Sequence, residues 1–245
     1  MRYAVISDVH SNVVALEAVL EDLATAAIDH YLCLGDVVGY GPRPNQCCDI
    51  IRDLGAACIR GNHDEAAVDL AKAEWFTAPA RACIIWNREQ LRDDNLDFLA
   101  SLQPMQVVED KVTICHGSVP DPDHYTVTPL DALLSFTAME TRLALFGHTH
   151  YAEWFALRPG DSLPAEHPHP LGGTCALQEP LLYLVNPGAV GQPRDGNEQA
   201  AYAIYDDQAG EVVLRRVDYE IDRTIAQMKE AGLPDSMWRR LRLGV

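Results

Sequence analysis

Five times along this chain of 245 residues a short apolar run stops at a small group of Asp, His or Asn residues. The first run, Tyr3 to Ser7, is rich in β-branched residues and reads as a buried strand ending in Asp8 and His10. Alternate residues of an extended segment project to one side, so a carboxylate and an imidazole are presented together. They lie at the carboxyl end of a strand, where α/β sheets place their ligands. Taken alone, that end is equally a capping Asp beside a satisfied His. The run His30 to Asp36 ends in Asp36, and Ala56 to Arg60 leads into Asn62 and His63. Asp110 to His116 ends in His116, and Arg142 to Phe146 leads into His148 and His150. Packing has no use for Asp, His and Asn at five strand ends; a shared site does.

Between these ends the spacing predicts helices over Asn12 to Ala27, with Val13, Leu16, Val19, Leu20 and Leu23 on one face, and over about Pro44 to Leu54. Strands alternating with helices imply parallel pairing through crossover units. Glu65 to Ser101 reads as helical, broken at Pro79, and serves either as packing helices or as a cap over the site. A helix is expected over Leu130 to Phe136, and Tyr151 to Leu157 is expected to be the hairpin neighbour of the strand before it. Arg158 to Pro180 reads as an irregular exposed insertion in which His167 and His169 are solvated. Leu181 to Val185 is a strand leading into Asn186-Pro187-Gly188. The runs Ala200 to Tyr205 and Glu211 to Val217 form a hairpin, and Ile221 to Ala231 a terminal helix. Without a repeat or a linker, residues 1–245 are expected to form one domain.

The formal charge of −17 and the absence of a basic cluster argue against binding long nucleic acids or anionic membranes. A small anionic substrate is still allowed, because bound metal ions dominate a local field. Seven cysteines without a C-x-x-C pair, several in apolar runs, are read as reduced, mostly buried thiols of a cytoplasmic protein. No leader for secretion is expected, and no apolar run reaches the ~18 residues of a membrane span.

Imidazole, carboxylate and amide oxygen together suit an open site for Mn, Fe, Zn, Co or Ni rather than a closed structural site. Seven donors, counted without His63, exceed the roughly three protein ligands of one catalytic ion. They match two ions that share a bridging carboxylate. Such ions, ~3.5–4 Å apart, clamp a phosphoryl group and lower the pKa of a bound water, which then serves as the hydroxide nucleophile.

The succession D-x-H, GD, GNHD, HG and GHTH, from Asp8 to His150, resembles the calcineurin-like metallophosphoesterase superfamily. The later stretch VNPGAVGQPRDG, Val185 to Gly196, resembles its small bacterial and archaeal phosphodiesterase-like branch. The resemblance implies an α/β (α+β) fold: a four-layer sandwich of two mixed β-sheets flanked by helices, with a dinuclear centre at the strand ends. It implies Asp8, His10 and His150 as ligands of one ion, Asn62, His116 and His148 as ligands of the other, and Asp36 as the bridge. His63 resembles the histidine that stabilises or protonates the leaving group, with Asp64 as a candidate to orient it. A capped helix start explains both residues as well.

Protein Ser/Thr phosphatases of the superfamily carry GDxVDRG and GNHE, whereas this chain has GDVVGYG and GNHD. Their phosphate-binding arginine therefore has no direct counterpart. Arg43 and Arg194 are the substitutes on offer, since a guanidinium holds phosphate bidentately. Asn12 is a further candidate for substrate contact and is equally explained as a helix cap. The expected activity is metal-dependent hydrolysis of a small phosphoester, with the diester favoured by resemblance, through in-line attack by the metal-bridging hydroxide. A phosphomonoesterase acting on phosphoprotein or nucleotide, a nucleoside polyphosphate hydrolase and a non-catalytic interaction module are the rivals. The sequence does not give the oligomeric state, although the hairpin from Ala200 to Val217 could leave an edge that pairs with another subunit in a homo-oligomer.

Overall fold

A computed structural model describes residues 1–245. Strands β1 (Arg2–Ile6), β2 (His30–Cys33) and β3 (Ala57–Cys58) alternate with helices α1 (Val13–Leu23) and α2 (Pro44–Asp53). β1 pairs parallel with β2, and β2 with β3, which is the crossover arrangement that the alternation predicts. β11 (Ala200–Asp206) and β12 (Glu211–Val217) form the expected hairpin, and β11 pairs antiparallel with β1. The second sheet contains β4 (Met105–Val108), β5 (Val112–Cys115), β6 (Leu143–Leu145), β7 (Ala152–Leu157), β8 (Ala165–Pro168) and β10 (Leu182–Pro187). Its order is β4-β5-β6-β10-β7-β8, and that of the first is β3-β2-β1-β11-β12-β9, with β9 at Gly173–Ala176.

The period-two alternation of β1 decides which side chain enters which layer. Tyr3 and Val5 face Val112, Ile114, Leu143, Leu145 and Val185 of the second sheet and form the core between sheets. Ala4 and Ile6 face the other way, against Leu16 and Val19 of α1 and Cys47 and Ile51 of α2. On the far face of the second sheet, Ala132 and Phe136 of α6 (Pro129–Ala138) cover Phe146, Phe155 and Leu184. The layers are thus helices, sheet, sheet, helix, as expected. All seven cysteines are free and buried. No helix is long and apolar enough to cross a membrane.

Several expectations are corrected. β7 is not the hairpin neighbour of β6; it pairs antiparallel with β10. β6 pairs parallel with β5 on one side and with β10 on the other, so it has no edge left to give. The segment between Arg158 and Pro180 is not irregular throughout: β8 extends the second sheet, and β9 extends the first by pairing with β12. The hairpin edge proposed for self-association is therefore covered. His167 is exposed, but both His167 and His169 stack on Trp154, with ring centroids 5.6 and 3.8 Å away. The helical region holds α3 (Asn62–Val68), α4 (Ala78–Gln90) and α5 (Asp93–Ser101). Its breaks lie between α3 and α4 and at Leu91–Arg92 rather than at Pro79, which occupies the first turn of α4, where a missing N–H costs nothing. The residues after α7 (Ile221–Glu230) form α8 (Asp235–Arg239) and a short 3-10 turn rather than a simple tail.

Candidate metal centre

Five strand ends converge in one place, three from the first sheet and two from the second. Asp8, His10, Asp36, His116, His148 and His150 are all buried. Asp8, His10 and His150 form one group whose donor atoms lie within 4.8 Å of one another; Asp36, His116 and His148 form another. Asp36 joins the two. Its Oδ2 lies 3.5 Å from His10 Nε2 and 3.4 Å from His116 Nε2. Asn62 Oδ1 lies 3.2 Å from His116 Nε2, which places the amide oxygen with the second group. Asp8 Oδ1, 3.2 Å from His150 Nε2, and His148 Nε2 have no hydrogen-bond partner although both are buried.

Backbone carbonyls fix the histidine tautomers. Nδ1–H donates to Leu34 O from His116 (2.7 Å), to Gln192 O from His150 (2.6 Å) and to Val38 O from His10 (3.3 Å). In each neutral ring the remaining nitrogen, Nε2, carries a lone pair. Those lone pairs face the carboxylates and one another, with His10 and His150 Nε2 only 3.1 Å apart. A convergence of imidazole nitrogens, carboxylates and an amide oxygen in one buried place is satisfied by cations, so these residues fit divalent metal ions. Burial opposes the charge on Asp8 and Asp36, but positive charge and hydrogen bonds from His150 and His116 outweigh it and hold both carboxyls below the usual range. Against the effect of burial, Asp36 in return pushes the His116 pKa up to about 10, so a metal ion that binds its Nε2 displaces a proton.

The loops that carry these ligands are strained. Asp8, His10, Asp36, His148 and His150 have φ of 53°, 48°, 54°, 67° and 64°. β1 ends at Ile6, so Asp8 and His10 do not share a side by strand alternation; two left-handed turns bring them together. Asp, Asn and His adopt this region more readily than most residues, yet each instance costs ~1–3 kcal/mol unless the surroundings enforce it. Ser7 Oγ and His148 N–H both donate to Asp8 Oδ2, at 2.6 and 3.1 Å. Gly147 allows this approach: a Cβ there would lie 2.7 Å from Asp8 Oδ2. Gly61 serves Asp36 likewise, since a Cβ would overlap its carboxylate.

His63, at the start of α3, is buried and packs edge-on against His10 and Phe76, at centroid distances of 4.7 and 4.8 Å. Burial pushes its pKa down to about 4, only partly offset by Asp36. It is therefore neutral at pH 7, below the near-neutral titration a general acid wants. Asp64 does not orient it. Its two oxygens accept from Val38 N–H and Gly61 N–H, both at 3.0 Å, tying two ligand-bearing loops together, while His63 Nδ1 has no partner.

Asn12 is fully engaged away from the ligands: Oδ1 accepts from Ala15 N–H (3.3 Å) and Thr224 Oγ1–H (2.9 Å), and Nδ2 donates to Gly191 O (2.9 Å). Arg43 does not reach the site either. Its Nε donates to Gln227 Oε1 (3.4 Å) in a surface groove with Trp86 and Glu230 that none of the ligands lines. Arg194 does reach it. Its Nη2 donates to Tyr40 Oη (3.1 Å), and the guanidinium lies 5.6 Å from the centre of that ring. Its Nε is buried without a partner, and no carboxylate is paired with it.

Three supporting residues escaped the sequence reading. Asn87 of α4 accepts from Ser11 Oγ (2.6 Å) and Gly39 N–H (3.3 Å) and donates to the carbonyls of Gly39, Gly41 (3.1 Å) and Cys83 (3.0 Å). It pins the loop beside His10 and His63, and nothing in the local sequence marks it. Asn186 donates to Gly147 O and Thr149 Oγ1, both 2.9 Å away, and holds the GHTH loop. Its signal was the Asn-Pro-Gly turn. Tyr125 lies over His148, with ring centroids 3.8 Å apart.

Comparison with known proteins agrees with this geometry. A family model described as the calcineurin-like phosphoesterase superfamily domain matches residues 1–210. The crystal structure of a metallophosphoesterase from Sphaerobacter thermophilus is 41% identical and superposes with a TM-score of 0.87 over 100% of both chains. An uncharacterized protein of Methanocaldococcus jannaschii is 35% identical over 98% of this chain and 97% of its own length. A hypothetical protein from Pyrococcus horikoshii, 20% identical, shares the fold with a TM-score of 0.81 over 100% of this chain and 98% of its own. The chain belongs to the calcineurin-like phosphoesterase superfamily.

Proposed function

We propose that this protein hydrolyses small phosphodiesters at a centre for two divalent ions. Asp8, His10 and His150 would hold the first ion, Asn62, His116 and His148 the second, and Asp36 both. The observation that carries the reading is the position of Asp36 Oδ2, nearly equidistant from His10 Nε2 and His116 Nε2. When bound, such ions polarise a phosphoryl group and acidify water.

The chain's own residues supply the rest. Arg194, desolvated and lacking a carboxylate partner, is placed to hold a phosphoryl oxygen, where charge-assisted hydrogen bonds are strongest. His63, neutral at pH 7, donates a hydrogen bond to the leaving-group oxygen rather than delivering a proton from an imidazolium. The carbonyls of Leu34, Gln192 and Val38 hold a proton on each Nδ1 and so turn each Nε2 toward the metal positions. The diester preference draws support from the missing Asp-Arg pair of the protein phosphatases.

The test is hydrolysis of an aryl phosphodiester beside its monoester. Metal-stripped protein is resupplied singly with Mn, Ni, Fe, Co, Zn or Mg, and Asp36→Asn and His63→Ala run alongside. Diester cleavage that depends on metal and is lost in Asp36→Asn is expected. Cleavage of the monoester alone would make the protein a phosphatase, and full activity in Asp36→Asn would end the bridging assignment.

A further inference from the structure

Beside Asn62, His63 and His148 the surface opens into a cavity of about 310 Å³, the lower end of the range for small-molecule sites. Tyr40, Trp75, Phe76 and Tyr125 are among its walls. Phe76 packs edge-on against His63, and Tyr125 covers His148. Trp75, on the turn between α3 and α4, is 90% exposed, and Tyr125 is 51% exposed. A tryptophan almost wholly in water contributes little to the fold, and at the mouth of a cavity its bare face is available for stacking.

Glu65, Lys72 and Asp123 add ionic groups to the lining. Glu65 is shared between Arg60 and Lys72, at 3.5 and 3.8 Å. Asp123 has no salt-bridge partner, and burial together with Glu65 and Asp121 holds its carboxyl above the usual range. A hydrocarbon ring would gain nothing from these carboxylates and would desolvate them. An anionic ring would be repelled. A neutral heteroaromatic ring with N–H groups on its edge satisfies both features: its faces stack, and its edge donates to Asp123 and Glu65.

We propose that this cavity binds a nucleobase-type ring carried by the phosphoester substrate, stacked by Trp75 and Tyr125 and read at its edge by Asp123 and Glu65. The inference rests on the phosphoesterase reading of the adjoining centre and narrows it to nucleotide esters. The volume and the missing basic track select a mononucleotide-sized ligand over a polymer.

The test measures binding to metal-loaded protein by calorimetry and tryptophan fluorescence. The probes are the phosphonate analogue of AMP, whose C–P bond resists hydrolysis, the same phosphonate of ribose without a base, and phenylphosphonate. One base–aromatic stack corresponds to about tenfold or more in affinity, and that preference for the AMP analogue over both other probes is expected. Trp75→Ala and Tyr125→Ala should each shrink it several-fold, and Trp75→Ala should remove most of the fluorescence response. Equal binding of the ribose phosphonate would refute the pocket, and equal binding of phenylphosphonate would refute the nucleobase. Aryl diester hydrolysis is measured on the same preparation. Hydrolysis without a base preference overturns this inference alone, whereas a base preference without hydrolysis supports the pocket and overturns the enzymatic reading.

Discussion

Glu153 should make this protein less stable as pH rises from acid to mildly alkaline. The side chain stands on β7, is 3% exposed, and its Oε1 has no hydrogen-bond partner. Burial first, then the charges of Glu166 and Asp195, push its pKa from 4.5 up to about 8. Between those values the folded chain keeps a proton that the unfolded chain has released. Stability therefore falls as pH rises through the window, and the loss is complete above the folded value. At ~1.36 kcal/mol per unit, about 3.5 units correspond to a loss on the order of 5 kcal/mol, comparable to the total stability of many domains. Glu153→Gln keeps the shape and is neutral at every pH, so its stability curve lacks that fall. Urea midpoints of both proteins at pH 5, 6.5 and 8.5 isolate the effect, because titrating groups remote from Glu153 cancel in the difference. The variant should gain over the parent progressively, by several kcal/mol at pH 8.5. A constant difference across the series would refute the argument.

Other expectations follow from the same geometry. Asn87→Ala strands buried partners around Gly39 and Gly41; at ~1–3 kcal/mol per unsatisfied group it should cost several kcal/mol in thermal or urea unfolding and weaken metal retention measured by elemental analysis. Asp64→Ala, which frees the N–H groups of Val38 and Gly61, should lower stability by about 2 kcal/mol or more, and an effect on hydrolysis without a stability loss would contradict its tethering role. Arg194→Ala should reduce kcat/KM for the aryl diester by ~10²-fold or more, as removal of a charged donor commonly does, while Arg43→Ala should leave it unchanged. His63→Ala should lower kcat by ~10²–10³-fold, as loss of one preorganised hydrogen-bond donor commonly does, with metal content intact.

The donor set of the centre was legible because its chemistry is local. Each ligand stands within a few residues of an apolar strand, and strands of that length bring their ends to one edge of a sheet. Strand alternation alone does not account for Asp8 and His10, which left-handed turns bring together. Pairing was less legible. That β10 inserts between β6 and β7 depends on residues far apart in sequence. β8 carries the residues AEHP, all exposed, so no alternation announced it. Of the two roles open to Asp64, the helix cap is the one the fold uses, because an acid beside a histidine in sequence need not touch it: in the first turn of α3 the carboxylate turns back to Gly61 and across to Val38. Arg43 lies near Asp36 in sequence, yet as the residue that heads α2 it points to Gln227. Arg194, far away in sequence, is the one the fold delivers.

The central claim is most directly tested by titrating metal-stripped protein with one divalent ion while counting bound metal and measuring aryl phosphodiester hydrolysis in the same samples. Activity that rises with metal and levels off at two ions per chain, with Asp36→Asn failing to reach either plateau, is the result this account predicts. A chain that fills with two ions and cleaves no phosphoester, or one that reaches full activity with a single ion, would contradict it.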